Sequence, residues 1–340
     1  MECINGVLSP RVAFFEVTSM CTLKCLHCIN SKTKSKDLKL KEVQLVLNKL
    51  KTGGIQLLKF TGGEPFERAD FEEIVMTCEQ LHINYMIYSN GMNLGFEWLG
   101  SLTHLCCLRV SFDGFQETHD YIRGKGNFEL VISNLKKLIS DCRNLRVQIN
   151  YTINAMNYYQ LIALDQYLTE NAIDVSINLG FIKYAGKALE HKGLVFSRDS
   201  AERTLQIIQN DIERCSHINE FTMLSDFYLK HYGNFFGCPA AKEAIYIANN
   251  GDVYPCGMLK GNKQFYCGNV AKTKLEKVMD SAAMSSMKNI NDIPYRCSQC
   301  EIFGIRCTGG CRGNAYNKLG EICGDDINCA FYDIVKKRNH

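Results

Sequence analysis

Thr18-Ser19-Met20-Cys21-Thr22-Leu23-Lys24-Cys25-Leu26-His27-Cys28 follows directly on the apolar run Val12–Val17. The run reads as a β-strand, and it leads into three cysteines spaced C-x3-C-x2-C. Three thiolates on one short loop can converge on a single metal centre. A structural zinc site takes four protein ligands, and His27, the one other candidate here, sits between two of the cysteines. A [4Fe–4S] cluster is usually held by four cysteines. Three of them leave one iron open to a small molecule.

The chain has 340 residues, 46% hydrophobic and 22% charged, enough for two domains or one large domain with an appendage. Its 39 basic and 36 acidic residues leave a net charge of +3. That balance argues against a nucleic-acid or membrane-surface protein. No run of ~18 apolar residues marks a transmembrane helix, and residues 1–10 lack the pattern of a secretory signal. The abnormal figure is 18 cysteines. A chain of this size needs no disulfides to fold. Clustered cysteines then point to metal or redox chemistry in a reducing cytoplasm. Cys78, Cys106 and Cys142 lie in apolar-periodic segments and read instead as small buried hydrophobes.

Beyond the first loop, strand-like and helix-like stretches alternate. Leu57–Phe60, Tyr85–Tyr88, Cys107–Val110, Val147–Ile153 and Val175–Leu179 read as strands. Leu40–Leu50, Phe71–Leu81, Phe128–Ile139 and Leu161–Leu168 carry apolar residues at helical spacing. Six strands alternating with helices over residues 10–180 predict a parallel α/β sheet with right-handed crossovers. Chemistry in such sheets collects at the C-terminal strand ends. Cys21, the Gly62-Gly63 turn, Asn90 and Asp113 all follow strand ends. Ser200–Cys215 reads as a further helix. After residue 233 periodicity weakens while Gly and Cys rise, which suggests a second domain held by its ligands.

The cysteine loop at the end of a first strand resembles the radical S-adenosylmethionine (SAM) superfamily. Three further segments resemble it in the same order: Thr61-Gly62-Gly63-Glu64-Pro65, Ser89-Asn90-Gly91, and Ser111-Phe112-Asp113-Gly114 with His119-Asp120 and Arg123-Gly124. The resemblance covers residues 12–195 and implies a partial (β/α)6 TIM-like barrel. It implies that Cys21, Cys25 and Cys28 hold a [4Fe–4S] cluster whose open iron binds SAM. It further implies SAM contacts at Gly62, Gly63, Glu64, Ser89, Asn90 and Ser111, with Arg123 on the SAM carboxylate. Reductive cleavage of SAM then gives a 5′-deoxyadenosyl radical that abstracts hydrogen from a substrate C–H bond.

Cys297-x2-Cys300-x6-Cys307-x3-Cys311, with Cys329 downstream and Cys238 and Cys256 upstream, resembles the SPASM extension of these enzymes. That extension binds two auxiliary clusters, so three [4Fe–4S] clusters are implied in all. The gap of six between Cys300 and Cys307 departs from the usual five. The resemblance assigns Cys297, Cys300, Cys307 and Cys329 to an outer cluster and Cys238, Cys256 and Cys311 to an inner one. The inner cluster's fourth corner is either open or filled by Cys267 or Cys215. The implied domains are a radical SAM barrel over 1–195, a helical bridge over 196–232 and a SPASM domain over 233–340.

Relatives with this extension mostly modify peptides, by crosslinking, thioether formation or epimerisation. The chain therefore reads as a peptide maturase in the cytoplasm, with a flavodoxin or ferredoxin as electron donor. Only 20 residues precede Cys21, too few for a winged-helix leader-recognition domain, so a separate recognition protein is one expectation. The same chemistry on a tetrapyrrole or small metabolite is the alternative. Sulfatase maturation is disfavoured, because Gly257 stands where those enzymes carry an aspartate and His27 where they favour an aromatic. A non-enzymatic zinc or Fe–S binding module would not need an open iron. No catalytic acid or base is evident: His119 and Tyr254 read as structural, and Cys267 and Cys323 are the unassigned candidates for a hydrogen donor.

Overall fold

The computed structural model describes residues 10–30, 35–197, 200, 203–204, 207, 215–221, 238–288, 294–299, 303 and 309–326. Cys3, Cys300, Cys307, Cys329 and most of the expected helix Ser200–Cys215 lie outside the described residues. Strands β1 (Val12–Thr18), β2 (Leu57–Gly62), β3 (Asn84–Ser89), β4 (Leu105–Ser111), β5 (Val147–Ile153) and β6 (Ser176–Phe181) pair in parallel, in sequence order. Helices α1 (Leu40–Thr52), α2 (Phe71–Gln80), α3 (Phe96–Leu99), α4 (Gln116–Arg123), α5 (Asn127–Asp141) and α6 (Leu161–Glu170) alternate with them. This is the expected α/β fold, an open partial barrel.

Side-chain alternation sorts the strand residues into two faces. Ala13, Phe15 and Val17 of β1 join Val43, Val46, Leu47 and Leu50 of α1 in one apolar core, with Leu58 and Phe60 of β2 beside them. The opposite face is polar and internally bonded. Arg109 Nε donates to Gln148 Oε1 at 2.9 Å, and Gln148 Nε2 to Ser176 Oγ at 3.0 Å. One level along the strands, Asn178 Nδ2 donates to Asn150 Oδ1 at 2.8 Å.

Two findings differ from the sequence reading. First, the stretch expected as a helical bridge contains strand β7 (Ile218–Phe221), which extends the sheet beyond β6. Second, the C-terminal lobe is not held by cysteines alone. Its β8 (Ala244–Ile247) pairs in parallel with β1, and β9 (Asp252–Tyr254) and β10 (Gly268–Asn269) follow antiparallel. Ile245, Ile247, Val253, Phe265 and Met284 share the core of the barrel strands. Strands of two to four residues are too short to display a period, so the sequence hid them. Cys78 and Cys142 are buried as expected, but Cys106 is exposed. It is the extra residue of a bulge, since Leu105 pairs with Tyr85 and Cys107 with the next residue, Met86.

Phe60 is fully buried, with ring centroids 5.7 Å from Phe71, 5.7 Å from Tyr85 and 6.4 Å from Phe15. Phe60→Ala should cost about 3–5 kcal/mol of stability. Urea unfolding should show a lower midpoint at an unchanged slope.

Candidate functional site

The first cysteine loop is pinned by the ends of the neighbouring strands. Gly63 N donates to Thr18 O at 2.8 Å, and Glu64 N to Met20 O at 2.7 Å. A Cβ on Gly63 would stand 1.8 Å from Met20 O. No side chain fits there, which is the physical reason for glycine at this turn. On the other side Leu26 N donates to Ile122 O at 2.9 Å, and Lys187 N donates to Cys28 O at 3.0 Å. Cys21 is exposed, and Cys25 and Cys28 are half-buried.

Glu64 is nearly fully buried. It accepts from Asn90 N at 2.6 Å, Ser89 Oγ at 2.9 Å and Phe66 N at 3.3 Å. Burial raises its carboxyl to about 7 in spite of those three bonds. Asn90 Nδ2 lies 3.9 Å from Cys21 Sγ. The structure thus brings Glu64, Ser89 and Asn90 together beside the cysteine loop, directly after the Gly62-Gly63 turn. Ser111 is half-buried at the end of β4, in register with Asn150.

Asp113 organises the other flank. Fully buried, it faces His27 Nε2 at 2.7 Å and Arg123 Nε at 2.6 Å, and accepts from Thr152 N at 3.0 Å. Its carboxyl is held well below the usual carboxylate range: burial opposes ionisation, but Arg123 and His27 outweigh it. Arg123 Nη1 extends to 4.0 Å from Cys25 Sγ. The sequence offers Asp113 without a task, and His27 as a poorly placed zinc-ligand candidate and a departure from the aromatic favoured in relatives. The joining of the two across 86 positions is tertiary, so no local signal announces it. His119 packs behind this flank. Its Nδ1 accepts from Asp113 N at 3.2 Å, and its ring packs 4.9 Å from that of Phe112. Burial lowers its pKa to about 4.

A second group gathers Cys238, Cys256 and Cys311. Burial, with smaller help from Cys311 and Cys238, raises Cys256 to about 12; burial also raises Cys311 to about 11, against Lys183 and with Cys238 adding to the rise. Cys311 caps the helix Arg312–Leu319, and its N donates to Asp326 Oδ2 at 2.7 Å. Cys267 is buried, with its thiol 3.5 Å from Phe265 O. Cys215 lies just before β7, where Ser216 N donates to Asp165 Oδ2 of α6 at 3.3 Å. Of the four outer-set cysteines, Cys297 is described, half-buried in the helix Tyr295–Ser298. Cys323 is half-buried.

Both three-cysteine groups suit iron–sulfur ligation. Loss of hydration in the loop favours the neutral thiol at Cys21, raised to about 11 although its side chain still reaches solvent, and at Cys25. Within each group the thiols also raise one another's pKa. A metal centre must displace those protons, which thiolate ligation does.

Two expectations follow from the carboxylates. Asp113→Asn strips the charge facing Arg123 inside the protein, and breaking a buried pair in this way costs about 3–5 kcal/mol. Urea unfolding of the cluster-free protein should show that loss. For Glu64 the sign is opposite. Its pKa is raised from 4.5 to about 7, so the folded state binds a proton that the unfolded chain has released. Stability should therefore fall as pH rises from 4.5 towards 7. Glu64→Gln should flatten that part of the profile, measured against wild type at several pH values.

The model of the radical SAM superfamily matches residues 15–154, and that of an iron–sulfur cluster-binding domain, SPASM, matches residues 238–301. An AdoMet-dependent heme synthase of Methanosarcina barkeri is 24% identical over 95% of this chain and 97% of its own. The sporulation killing factor maturation protein SkfB of Bacillus subtilis is 33% identical over 53% of this chain and 43% of its own. The crystal structure of Streptococcus suis SuiB bound to precursor peptide SuiA superposes with a TM-score of 0.74 at 20% identity, over 94% of this chain and 76% of that one. No helix among the described residues is long and apolar enough to cross a membrane. The chain carries a radical SAM domain followed by a SPASM domain and is an enzyme, with a SAM-binding [4Fe–4S] cluster and auxiliary clusters as its cofactors.

Proposed function

We propose that this enzyme modifies a ribosomally made peptide in the cytoplasm, forming a crosslink or thioether or inverting a residue. The observation that carries the reading is the 33% identity to the SkfB maturation protein across 186 residues. SuiB, which shares the fold, has been captured with its precursor peptide. The full-length match to a heme synthase favours a second reading, in which the substrate is a tetrapyrrole.

In this proposal Cys21, Cys25 and Cys28 hold the SAM cluster. Glu64, Ser89 and Asn90 take the methionine ammonium end of SAM, between the Gly62-Gly63 turn and Ser111. Arg123 takes the SAM carboxylate, aimed by Asp113 and braced by His27. When reduced, the cluster supplies the electron that cleaves SAM and so generates the hydrogen-abstracting radical. The chain's own residues orient and enclose. Cys238, Cys256 and Cys311 hold an inner auxiliary cluster, whose fourth corner is either open or filled by Cys267 or Cys215. Cys297, Cys300, Cys307 and Cys329 hold an outer one. The barrel covers residues 1–195 and the SPASM domain 233–340, joined through 196–232. A flavodoxin or ferredoxin delivers electrons, and a separate protein presents the peptide's leader.

Anaerobic reconstitution tests this. About 12 irons per chain are expected, four for each of three clusters. SAM cleavage to 5′-deoxyadenosine under dithionite should vanish in the Cys21/Cys25/Cys28→Ala variant. Cleavage stimulated by a small peptide encoded beside the enzyme supports the peptide reading. Stimulation by an iron porphyrin, with none by the peptide, replaces it with the tetrapyrrole reading.

A further inference from the structure

Glu16 is a charged residue in the middle of the apolar strand β1, and it is fully buried. Its partner comes from the other end of the chain. Lys260 Nζ lies 2.6 Å from Glu16 Oε2 and 2.8 Å from Oε1, with both side chains withdrawn from solvent. Tyr246 OH lies 3.1 Å from Glu16 Oε2 and 3.2 Å from Asn30 Oδ1, so one phenolic proton serves two acceptors. Asn30 Nδ2 in turn donates to Gly62 O at 3.0 Å.

The ends of this chain of contacts are what give it meaning. Asn30 stands two residues after Cys28, and Gly62 belongs to the turn that seats the SAM-cluster loop. Lys260 stands four residues after Cys256, in a turn closed by Leu259 N to Cys256 O at 3.0 Å and Lys260 N to Gly257 O at 3.3 Å. The ring of Tyr246 fills the space beside that turn. A Cβ on Gly257 would stand 2.7 Å from it, so glycine is what lets the turn approach. A buried ion pair is a poor source of stability compared with apolar packing. It does impose one geometry, because moving either charge leaves the other unpaired in a dry interior.

We propose that Glu16, Lys260 and Tyr246 are positioning residues that lock the Cys256 turn onto the SAM-cluster loop, and that this lock sets the separation and communication between the SAM cluster and the inner auxiliary cluster. The proposal rests on the ligand assignments above and is independent of the substrate.

The test uses the full-length protein, anaerobically reconstituted and reduced with dithionite. Pulsed EPR reads the relaxation enhancement that the inner cluster imposes on the SAM-cluster signal. Variants are Glu16→Gln, Lys260→Met, Tyr246→Phe and the conservative Lys260→Arg, each checked for wild-type iron content and far-UV circular dichroism at the measuring condition. The expected result is loss of enhancement in Glu16→Gln and Lys260→Met, partial loss in Tyr246→Phe and retention in Lys260→Arg. Should Glu16→Gln not fold, Tyr246→Phe decides, because it cuts the link to Asn30 while leaving the ion pair whole. Unchanged enhancement in every folded variant, whatever the change in melting temperature, reduces the network to a structural role and overturns the proposal. Wild-type protein that assembles no inner cluster overturns the ligand assignment, and the lock with it.

Discussion

A Cβ on Gly63 would overlap the Met20 carbonyl oxygen at 1.8 Å, and most of the site's geometry follows from that proximity. Because the β2 turn can lie directly on the start of the cysteine loop, the loop's backbone is held by protein hydrogen bonds. Thr18 O and Met20 O each accept from that turn. The same close approach delivers Glu64 to the end of β3, where Ser89 and Asn90 meet it. Strand ends that would otherwise be separate loops become one rigid floor.

Charge is distributed over that floor with contrasting outcomes. Glu64 has hydrogen-bond donors but, among the described residues, no cation, so burial dominates and its carboxyl is raised to about 7. Asp113 is buried at least as deeply but faces Arg123 and His27, and its carboxyl is lowered. The difference is the pairing, not the depth. It leaves Asp113 committed to holding side chains in place. Glu64 meets no cation among the described residues, which fits the role proposed for it at the ammonium end of SAM.

Much of this was legible in the sequence. Alternating apolar runs from Val12 to Leu179 defined the parallel sheet, and the order of Cys21, Gly62, Asn90 and Asp113 along it marked the strand ends. What stayed hidden was of two kinds. Cys106 lies in an apolar segment, but a bulge turns it outward, and no periodicity reports a bulge. The contacts His27–Asp113 and Glu16–Lys260 join positions 86 and 244 residues apart. A single sequence gives residue types, not which distant pairs meet. Glu16 did leave one trace, a carboxylate in an otherwise apolar strand, which requires a buried partner somewhere in the chain.

The placement of β8 gives that long-range contact its consequence. By pairing in parallel with β1, from Val12 against Ala244 to Phe15 against Ile247, the C-terminal lobe becomes part of the same sheet as the barrel. Its Cys256 turn then follows β9, which lies one strand beyond β8 from β1, the strand that leads into the first cysteine loop. Strand register fixes the approximate distance between the two cysteine groups. The buried pair of Glu16 and Lys260 removes the freedom that remains between a strand and the turn that follows it. A lobe tethered only by metal ligands could drift when its clusters were lost or changed charge. In one that shares a core with the barrel, Cys238 and Cys256 are placed by apolar packing as well as by any metal they hold.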